Sequence, residues 1–157
     1  MEPAILAEIE AQGLDVGLPK RTFAQIYGNE LSPEQQEEVW MELWRYLSII
    51  SFMRMHRGHQ GKTRPSIWVN RAWHELILCT KLYAQVCDKV VGSFIHHTPV
   101  DPSDESADAD EAYALTLEHY RAYYKNDPQA WIWPEPPRRG NNPESTKDPD
   151  TTDNYFF

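Results

Sequence analysis

The stretch from Ser32 to about His56 constrains the fold most, because it predicts one long helix with a heavily buried surface. Ser32, Pro33 and Gln35 occupy the N-cap, N1 and N3 positions of a capping box, an arrangement that starts helices. Apolar residues then crowd most of the helix circumference, which is typical of a helix buried on more than one side. These residues include Val39, Trp40, Leu43, Trp44, Leu47, Ile50, Phe52 and Met55. We therefore expect this helix to be the centre of the core.

Five shorter segments carry apolar residues at spacings of three and four, the pattern of amphipathic helices. Ser66 suits an N-cap, and Gly92 suits a C-terminal stop. The predicted helices cover about residues 3–12, 19–27, 66–78 and 81–91, and a last one begins in the acidic run 101–111 and ends near Asp127. Trp131 and Trp133 can then close the core. The sequence predicts an all-α fold, a single compact bundle of five or six helices over residues 1–134.

Residues 135–157 differ in composition from the predicted domain. Most of this segment is poor in apolar residues and rich in turn formers, which favours an extended or disordered tail. It ends in three consecutive aromatic residues, Tyr155, Phe156 and Phe157. Because aromatic side chains contribute heavily to binding hot spots, we expect the tail to dock on another protein. The alternative is that these residues pack back onto an apolar surface of their own domain.

The net charge of the chain is −9 and its isoelectric point is about 5.1. An acidic protein repels phosphate groups, so we expect neither nucleic acid nor an anionic membrane surface as a partner. The sequence has no apolar run of about 18 residues, the length that a membrane-spanning helix needs. Its start is acidic where a signal peptide would be basic, and two cysteines are too few for a disulfide framework. These features predict a cytoplasmic protein.

A group of histidine and cysteine residues is the sharpest candidate for chemistry. His74, Cys87 and one of His96 and His97 could hold a metal ion, most naturally zinc, which accepts imidazole and thiolate ligands. Cys87 could instead form a thiol-dependent hydrolytic pair with His74 or His97. In the structural alternative, Cys87 belongs to the apolar stripe of its helix, and the histidines pack or form hydrogen bonds. We assign no catalytic residue from the sequence.

A basic loop precedes the helix that Ser66 caps. It contains Arg57, Lys62 and Arg64 and has no acidic residue. The free N–H groups and the dipole of a helix N-terminus favour an anion, so the loop predicts a small-anion site. Alternatively, the loop pairs with the acidic run 101–111 of the same chain or is merely solvated.

The central stretch also resembles a known family. Six residues stand at the intervals found in the glycine-rich domain-containing protein-like family: Trp73, His74, Leu78, Tyr83, Cys87 and Gly92. The segment from Phe94 to Pro99, and later Tyr113 and Trp133-Pro134, look like its bacterial branch. The resemblance covers residues 60–134 and implies a helical domain, without a settled activity.

These patterns favour a non-catalytic function. We expect a protein-interaction module, a scaffold or an accessory subunit of a cytosolic complex that needs no cofactor and binds another protein through its tail. The alternative is a metal-binding protein of the zinc type, or a thiol-dependent enzyme, that uses His74, Cys87 and His97.

Overall fold

The helix predicted after Ser32 is present and lies at the centre of the fold. The structure, a computed structural model, describes residues 2–57, 62–99, 108–136 and 155–156. The backbone N–H of Gln35 donates to Ser32 Oγ at 3.2 Å, and the N–H of Ser32 donates to Gln35 Oε1 at 2.9 Å. Both hydrogen bonds of the capping box are therefore formed, and they satisfy two N–H groups at the helix start.

The described residues form six α-helices, which confirms the predicted all-α bundle. In chain order these are α1 (Ala4–Ala11), α2 (Gly17–Tyr27), α3 (Pro33–Arg57), α4 (Ile67–Leu78), α5 (Thr80–Val86) and α6 (Asp108–Tyr124). A π-helical segment, Cys87–Val91, continues α5, and two short strands, β1 (Thr98–Pro99) and β2 (Tyr155–Phe156), pair with each other. Within the described ranges, no helix combines the length and the apolar composition that crossing a membrane requires.

Helix α3 is buried on several sides, as its apolar pattern predicts. Helices α1, α2 and α4 pack against it, and α2 and α4 also pack against each other. Trp44 is 1% exposed and Tyr46 is fully buried. The ring centroid of Tyr46 lies 5.6 Å from that of Trp73 on α4 and 6.0 Å from that of Trp133, which follows α6. Aromatic rings from three parts of the chain thus form one continuous core.

The helix predicted over residues 81–91 changes its winding at Cys87. Helix α5 ends at Val86, and the next five residues form the wider π-helical segment. The N–H of Gly92 donates to the carbonyl of Cys87 at 2.8 Å, and Gly92 has the left-handed φ of 85° that ends the segment. The wider turn allows Val86 and Val91, five residues apart, both to be buried.

The segment after α6 closes the core with one tryptophan rather than two. Trp133 is 2% exposed, whereas Trp131 is 38% exposed, so the expectation that Trp131 also closes the core is wrong. The chain turns tightly here, because the N–H of Trp133 donates to the carbonyl of Gln129 at 2.8 Å. This turn directs the two indoles to different environments.

The chain returns to the domain at its last described residues. The backbone of Tyr155–Phe156 pairs antiparallel with that of Thr98–Pro99. Thr98–Pro99 is the end of the strap, the segment of residues 93–99 that follows the π-helical segment. Residues 137–154 lie outside the described part of the chain. The division into a domain of residues 1–134 and a tail of residues 135–157 therefore stays a prediction.

Candidate functional site

His97 lies beside α4, while its neighbour His96 lies on the exposed side of the strap. The ring centroid of His97 is 6.0 Å from that of Trp73 and 6.4 Å from that of His74. His97 is partly buried, whereas His96 is exposed and packs against Phe94 with ring centroids 4.8 Å apart. His97 is therefore the member of the adjacent pair that faces the domain.

The surroundings of His97 favour its neutral form. Burial, and then the nearby imidazole of His74, lower the pKa of His97 to about 4. The imidazole is therefore neutral near pH 7, the form in which histidine can bind a metal ion or accept a hydrogen bond. This protonation state is compatible with both the metal site and the structural alternative.

Cys87 is buried next to a hydrogen-bonded tyrosine. Cys87 is 2% exposed. Tyr83, one turn earlier, accepts a hydrogen bond from the indole N–H of Trp73 at 3.2 Å and donates its own to the carbonyl of Ile95 at 2.6 Å. Burial raises the pKa of Tyr83, and the adjacent Cys87 raises it further, so the phenol stays protonated and can donate. Tyr83 thus joins α4, α5 and the strap.

The structure brings two members of the predicted metal site, His74 and His97, close to each other. Two imidazoles supply half of the four ligands that a structural zinc ion takes. Among the residues that the structure describes, no group of three or more histidine, cysteine, aspartate or glutamate side chains is arranged to hold a metal ion. A metal site at His74, Cys87, His96 and His97 stays a prediction.

The residues predicted to bind an anion lie at different depths. Arg57 is the last residue of α3, and its side chain is outside the described part of the chain. Lys62 is exposed, and Arg64 is partly buried beside the first turn of α4. Burial lowers the pKa of Arg64 more than the charge of Asp110 raises it. Asp110 belongs to the acidic run, so this attraction links the basic loop to that run. The anion site itself is untested.

A cleft of about 450 Å³ lies beside Arg64 at the N-terminal turn of α4. Tyr113 of α6 forms part of one wall, and Trp131 lies at its exposed rim. Asn70 of α4 also lines this cleft and is 7% exposed. We name this cleft the Asn70 cleft. The Oδ1 atom of Asn70 is itself inaccessible to solvent and has no hydrogen-bond partner among the described residues. Sequence reasoning missed Asn70, because a polar residue on an amphipathic helix ordinarily faces water.

A second exposed feature lies where the C-terminal part of α3 meets α6. Phe52 is 39% exposed and Met55 is 72% exposed, although both belong to the apolar pattern that predicts a buried helix. The ring centroid of Phe52 lies 4.5 Å from that of His56 and 5.1 Å from that of Tyr123 on α6. Together these four residues form the Phe52 surface. A groove of about 360 Å³ adjoins it between the two helices.

A buried carboxylate on α3 was also missed. Glu42 is 1% exposed. It accepts hydrogen bonds from Tyr120 Oη at 3.2 Å, from Trp133 Nε1 at 3.0 Å and from Arg45 Nη1 at 2.5 Å. The one signal in the sequence is that Glu42 lies in a helix predicted to be buried on more than one side. Because its oxygens are engaged by core side chains, Glu42 is a structural residue.

The predicted docking residues of the tail are only partly described. The backbone of Tyr155 and Phe156 forms β2, and Phe157 lies outside the described part of the chain. Docking of these three side chains on a partner stays a prediction.

The fold and these sites define an all-α bundle whose buried polar side chains mainly tie helices together. The chain belongs to the UCP032817-like family, whose model matches residues 12–126. The resemblance to the glycine-rich domain-containing protein-like family is therefore wrong. Its spacing misleads because Trp73 and Cys87 are core residues at helical intervals, a pattern that unrelated helical proteins can share. A search of curated proteins and a search of solved structures found no match to the chain.

Proposed function

We propose that this protein is a non-catalytic interaction module, an accessory or scaffold subunit of a cytosolic protein complex. The observation that carries this proposal is the Phe52 surface. Met55 has the most exposed large apolar side chain among the described residues, at 72%. Aromatic and methionine side chains are enriched at protein interfaces, and methionine adapts its shape to a partner.

A basic side chain lies beside the Phe52 surface. Lys125 lines the adjoining groove, whereas Arg54 lies on another side of α3 and donates to the carbonyl of Phe94 at 3.0 Å. This local positive charge contrasts with the net charge of −9 for the chain. Electrostatic complementarity then favours a protein partner with an apolar anchor flanked by aspartate or glutamate. A helix laid into the groove is one established way to present such an anchor.

A charge placed in the Phe52 surface tests this proposal. Met55→Glu should abolish co-purification of a stoichiometric partner from cells that express the protein natively. The melting temperature should not change, because Met55 is exposed. Leu78→Glu, at a site that is 61% exposed at the end of α4, is the matched control and should keep the partner. A partner retained by Met55→Glu, or lost from both variants, would count against the Phe52 surface.

The tail is the second element of the proposal. Tyr155, Phe156 and Phe157 contribute aromatic contacts to the partner, and the pairing of β1 with β2 is the resting position of the tail. A pairing of two residues per strand is marginal and can be exchanged for a partner. Deletion of residues 154–157 should then remove the partner without changing the melting temperature. If the melting temperature falls by several degrees and the partner is kept, the tail belongs to the fold.

The contact between His74 and His97 favours a second function, a zinc-type metal site or a thiol-dependent enzyme that includes Cys87. Metal analysis of protein purified without a histidine tag separates this function from the first. Stoichiometric metal that is lost in Cys87→Ala would support it. A metal-free, fully folded protein would remove the metal site, and slow labelling of Cys87 by thiol reagents would remove the thiol-dependent enzyme.

A further inference from the structure

Met55 is the most exposed of the sulfur-containing residues that the structure describes. It is 72% exposed, whereas Met53, two residues earlier on α3, is 5% exposed and Cys87 is 2% exposed. Met41 and Cys79 are partly buried. Because the oxidation of a sulfur atom in a folded protein follows its exposure, an oxidant in solution meets the thioether of Met55 first.

The thioether of Met55 has a hydrogen-bond donor beside it. Ser51, one turn earlier on α3, places its Oγ atom 3.9 Å from Met55 Sδ and 3.3 Å from the carbonyl oxygen of Val91. A thioether sulfur is a weak acceptor, so the single hydroxyl hydrogen of Ser51 favours the carbonyl. In the sulfoxide of Met55, a polar oxygen is bonded directly to that sulfur and lies within reach of the Ser51 hydroxyl. Ser51 can therefore hold the oxidised side chain on the preceding turn of α3.

Oxidation of Met55 changes the chemistry of the Phe52 surface. Phe52 is 39% exposed, and its ring centroid lies 4.5 Å from that of His56 and 5.1 Å from that of Tyr123. The thioether beside these rings is apolar and flexible, whereas a sulfoxide is polar. A partner that covers Met55 with apolar groups would have to remove water from the sulfoxide oxygen, which costs free energy. A side chain held by Ser51 also loses the freedom to adapt to the partner.

We propose that Met55 is an oxidation-sensitive site that controls binding of the partner at the Phe52 surface, an inference that rests on the proposed function. Hydrogen peroxide transfers one oxygen atom to Met55 Sδ. The O–O bond breaks, an S–O bond forms, the sulfur gives up two electrons, and the other peroxide oxygen leaves as water. The thioether form binds the partner, and the sulfoxide form releases it. A methionine sulfoxide reductase, supplied with a thiol reductant, returns the two electrons and restores binding.

The order of oxidation on the isolated full chain tests the site. After treatment with hydrogen peroxide, peptide mapping by mass spectrometry should find Met55 oxidised at least about tenfold faster than Met53, because Met53 reacts only as the fold opens. The melting temperature of the chain oxidised at Met55 should not change, because this side chain is exposed. Oxidation of Met53 or Met41 as fast as that of Met55 would overturn the proposal.

The partner that co-purifies with the wild-type chain from native cells tests the consequence. The chain oxidised at Met55 should bind this partner at least about tenfold more weakly than the untreated chain, and methionine sulfoxide reductase should restore binding. Met55→Leu keeps an apolar side chain without sulfur, so it should bind the partner and retain it after peroxide treatment. Met41→Leu, at a partly buried position of the same helix, is the matched control and should stay sensitive to peroxide.

Two results with the partner would overturn the oxidation switch. One is an oxidised wild-type chain that keeps the partner, and the other is a peroxide-treated Met55→Leu chain that loses it. Met55→Glu tests the proposed function separately, without peroxide. If Met55→Glu loses the partner and the oxidised wild type keeps it, the Phe52 surface stands and only the oxidation switch fails. If Met55→Glu keeps the partner, both fail.

Discussion

The indole N–H of Trp133 donates to Glu42 Oε2 at 3.0 Å and so joins two parts of the chain that are 91 residues apart. The other carboxylate oxygen of Glu42 accepts from Tyr120 and from Arg45. One buried side chain of α3 therefore anchors both α6 and the segment after it. The Asn70 cleft and the Phe52 surface both depend on this anchor, because each includes residues of α6.

Loss of the Glu42 carboxylate should destabilise the domain strongly. Glu42→Ala leaves Tyr120 and Trp133 without their acceptor and should lower the free energy of unfolding by about 3 kcal/mol. Glu42→Gln keeps one acceptor oxygen and should cost less. Urea denaturation measures both free energies of unfolding. Glu118→Ala, at an exposed position of α6, is the control, and its free energy of unfolding should stay within about 0.5 kcal/mol of wild type. A Glu42→Ala protein as stable as this control would contradict the anchoring role.

Trp73 should be one of the most costly residues to truncate. It is fully buried between Tyr46 of α3 and Tyr83 of α5. Trp73→Ala should therefore reduce the free energy of unfolding by about 3–5 kcal/mol. Trp73→Phe keeps an aromatic ring but loses the hydrogen bond to Tyr83, and it should lower the free energy of unfolding less than Trp73→Ala does. A loss under about 1 kcal/mol for Trp73→Ala would show that the residue is misplaced.

The two cysteines should differ in their reaction with thiol reagents. Cys87 is buried, whereas Cys79 is only partly buried. In native protein, Cys79 should therefore be labelled first, and Cys87 should react only as the fold opens. Mass spectrometry of Cys79→Ser and Cys87→Ser variants measures each rate separately. Rapid labelling of Cys87 near neutral pH would instead indicate an exposed, activated thiolate.

His97 should make stability fall between about pH 6.5 and pH 4. Burial and the imidazole of His74 lower the pKa of His97 from 6.5 to about 4. The folded state therefore binds this proton at a lower pH than the unfolded state does. The stabilisation from neutral His97 is complete above about pH 6.5 and is lost as the pH falls towards 4.

Melting temperatures of wild type and His97→Gln, recorded from pH 7.5 to pH 4, check this expectation. Carboxylates titrate in both proteins, so the difference between the two curves reports on His97 alone. The wild type should therefore lose more stability over this range. His74→Gln removes one cause of the shift and should raise the pKa of His97. Parallel curves for wild type and His97→Gln would mean that His97 titrates normally in the folded state.

Features that depend on neighbouring residues could be predicted from the sequence. The two residues of the capping box, Ser32 and Gln35, are three positions apart, and so are the N-cap Ser66 and its hydrogen-bond donor Val69, so both caps follow from local spacing. The burial of Trp73 follows from helical periodicity in the same way.

Features that depend on distant partners could not be predicted. The acceptor role of Glu42 requires donors 78 and 91 residues away, and no local pattern distinguishes Glu42 from a solvated glutamate. The different burial of Trp131 and Trp133 depends on a turn at Gln129, which composition does not specify. The unpaired Oδ1 of Asn70 is visible only after the walls of its cleft are assembled.

Hydrogen–deuterium exchange on the complex isolated from native cells tests the central claim most directly, because it shows which surface the partner covers. Relative to the isolated chain, backbone amides at the C-terminal ends of α3 and α6 should exchange more slowly in the complex. Amides of α1 and α2 should exchange at the same rates in both samples. The account is contradicted if protection is confined to α1 and α2, or if the complex and the isolated chain exchange identically over α3 and α6.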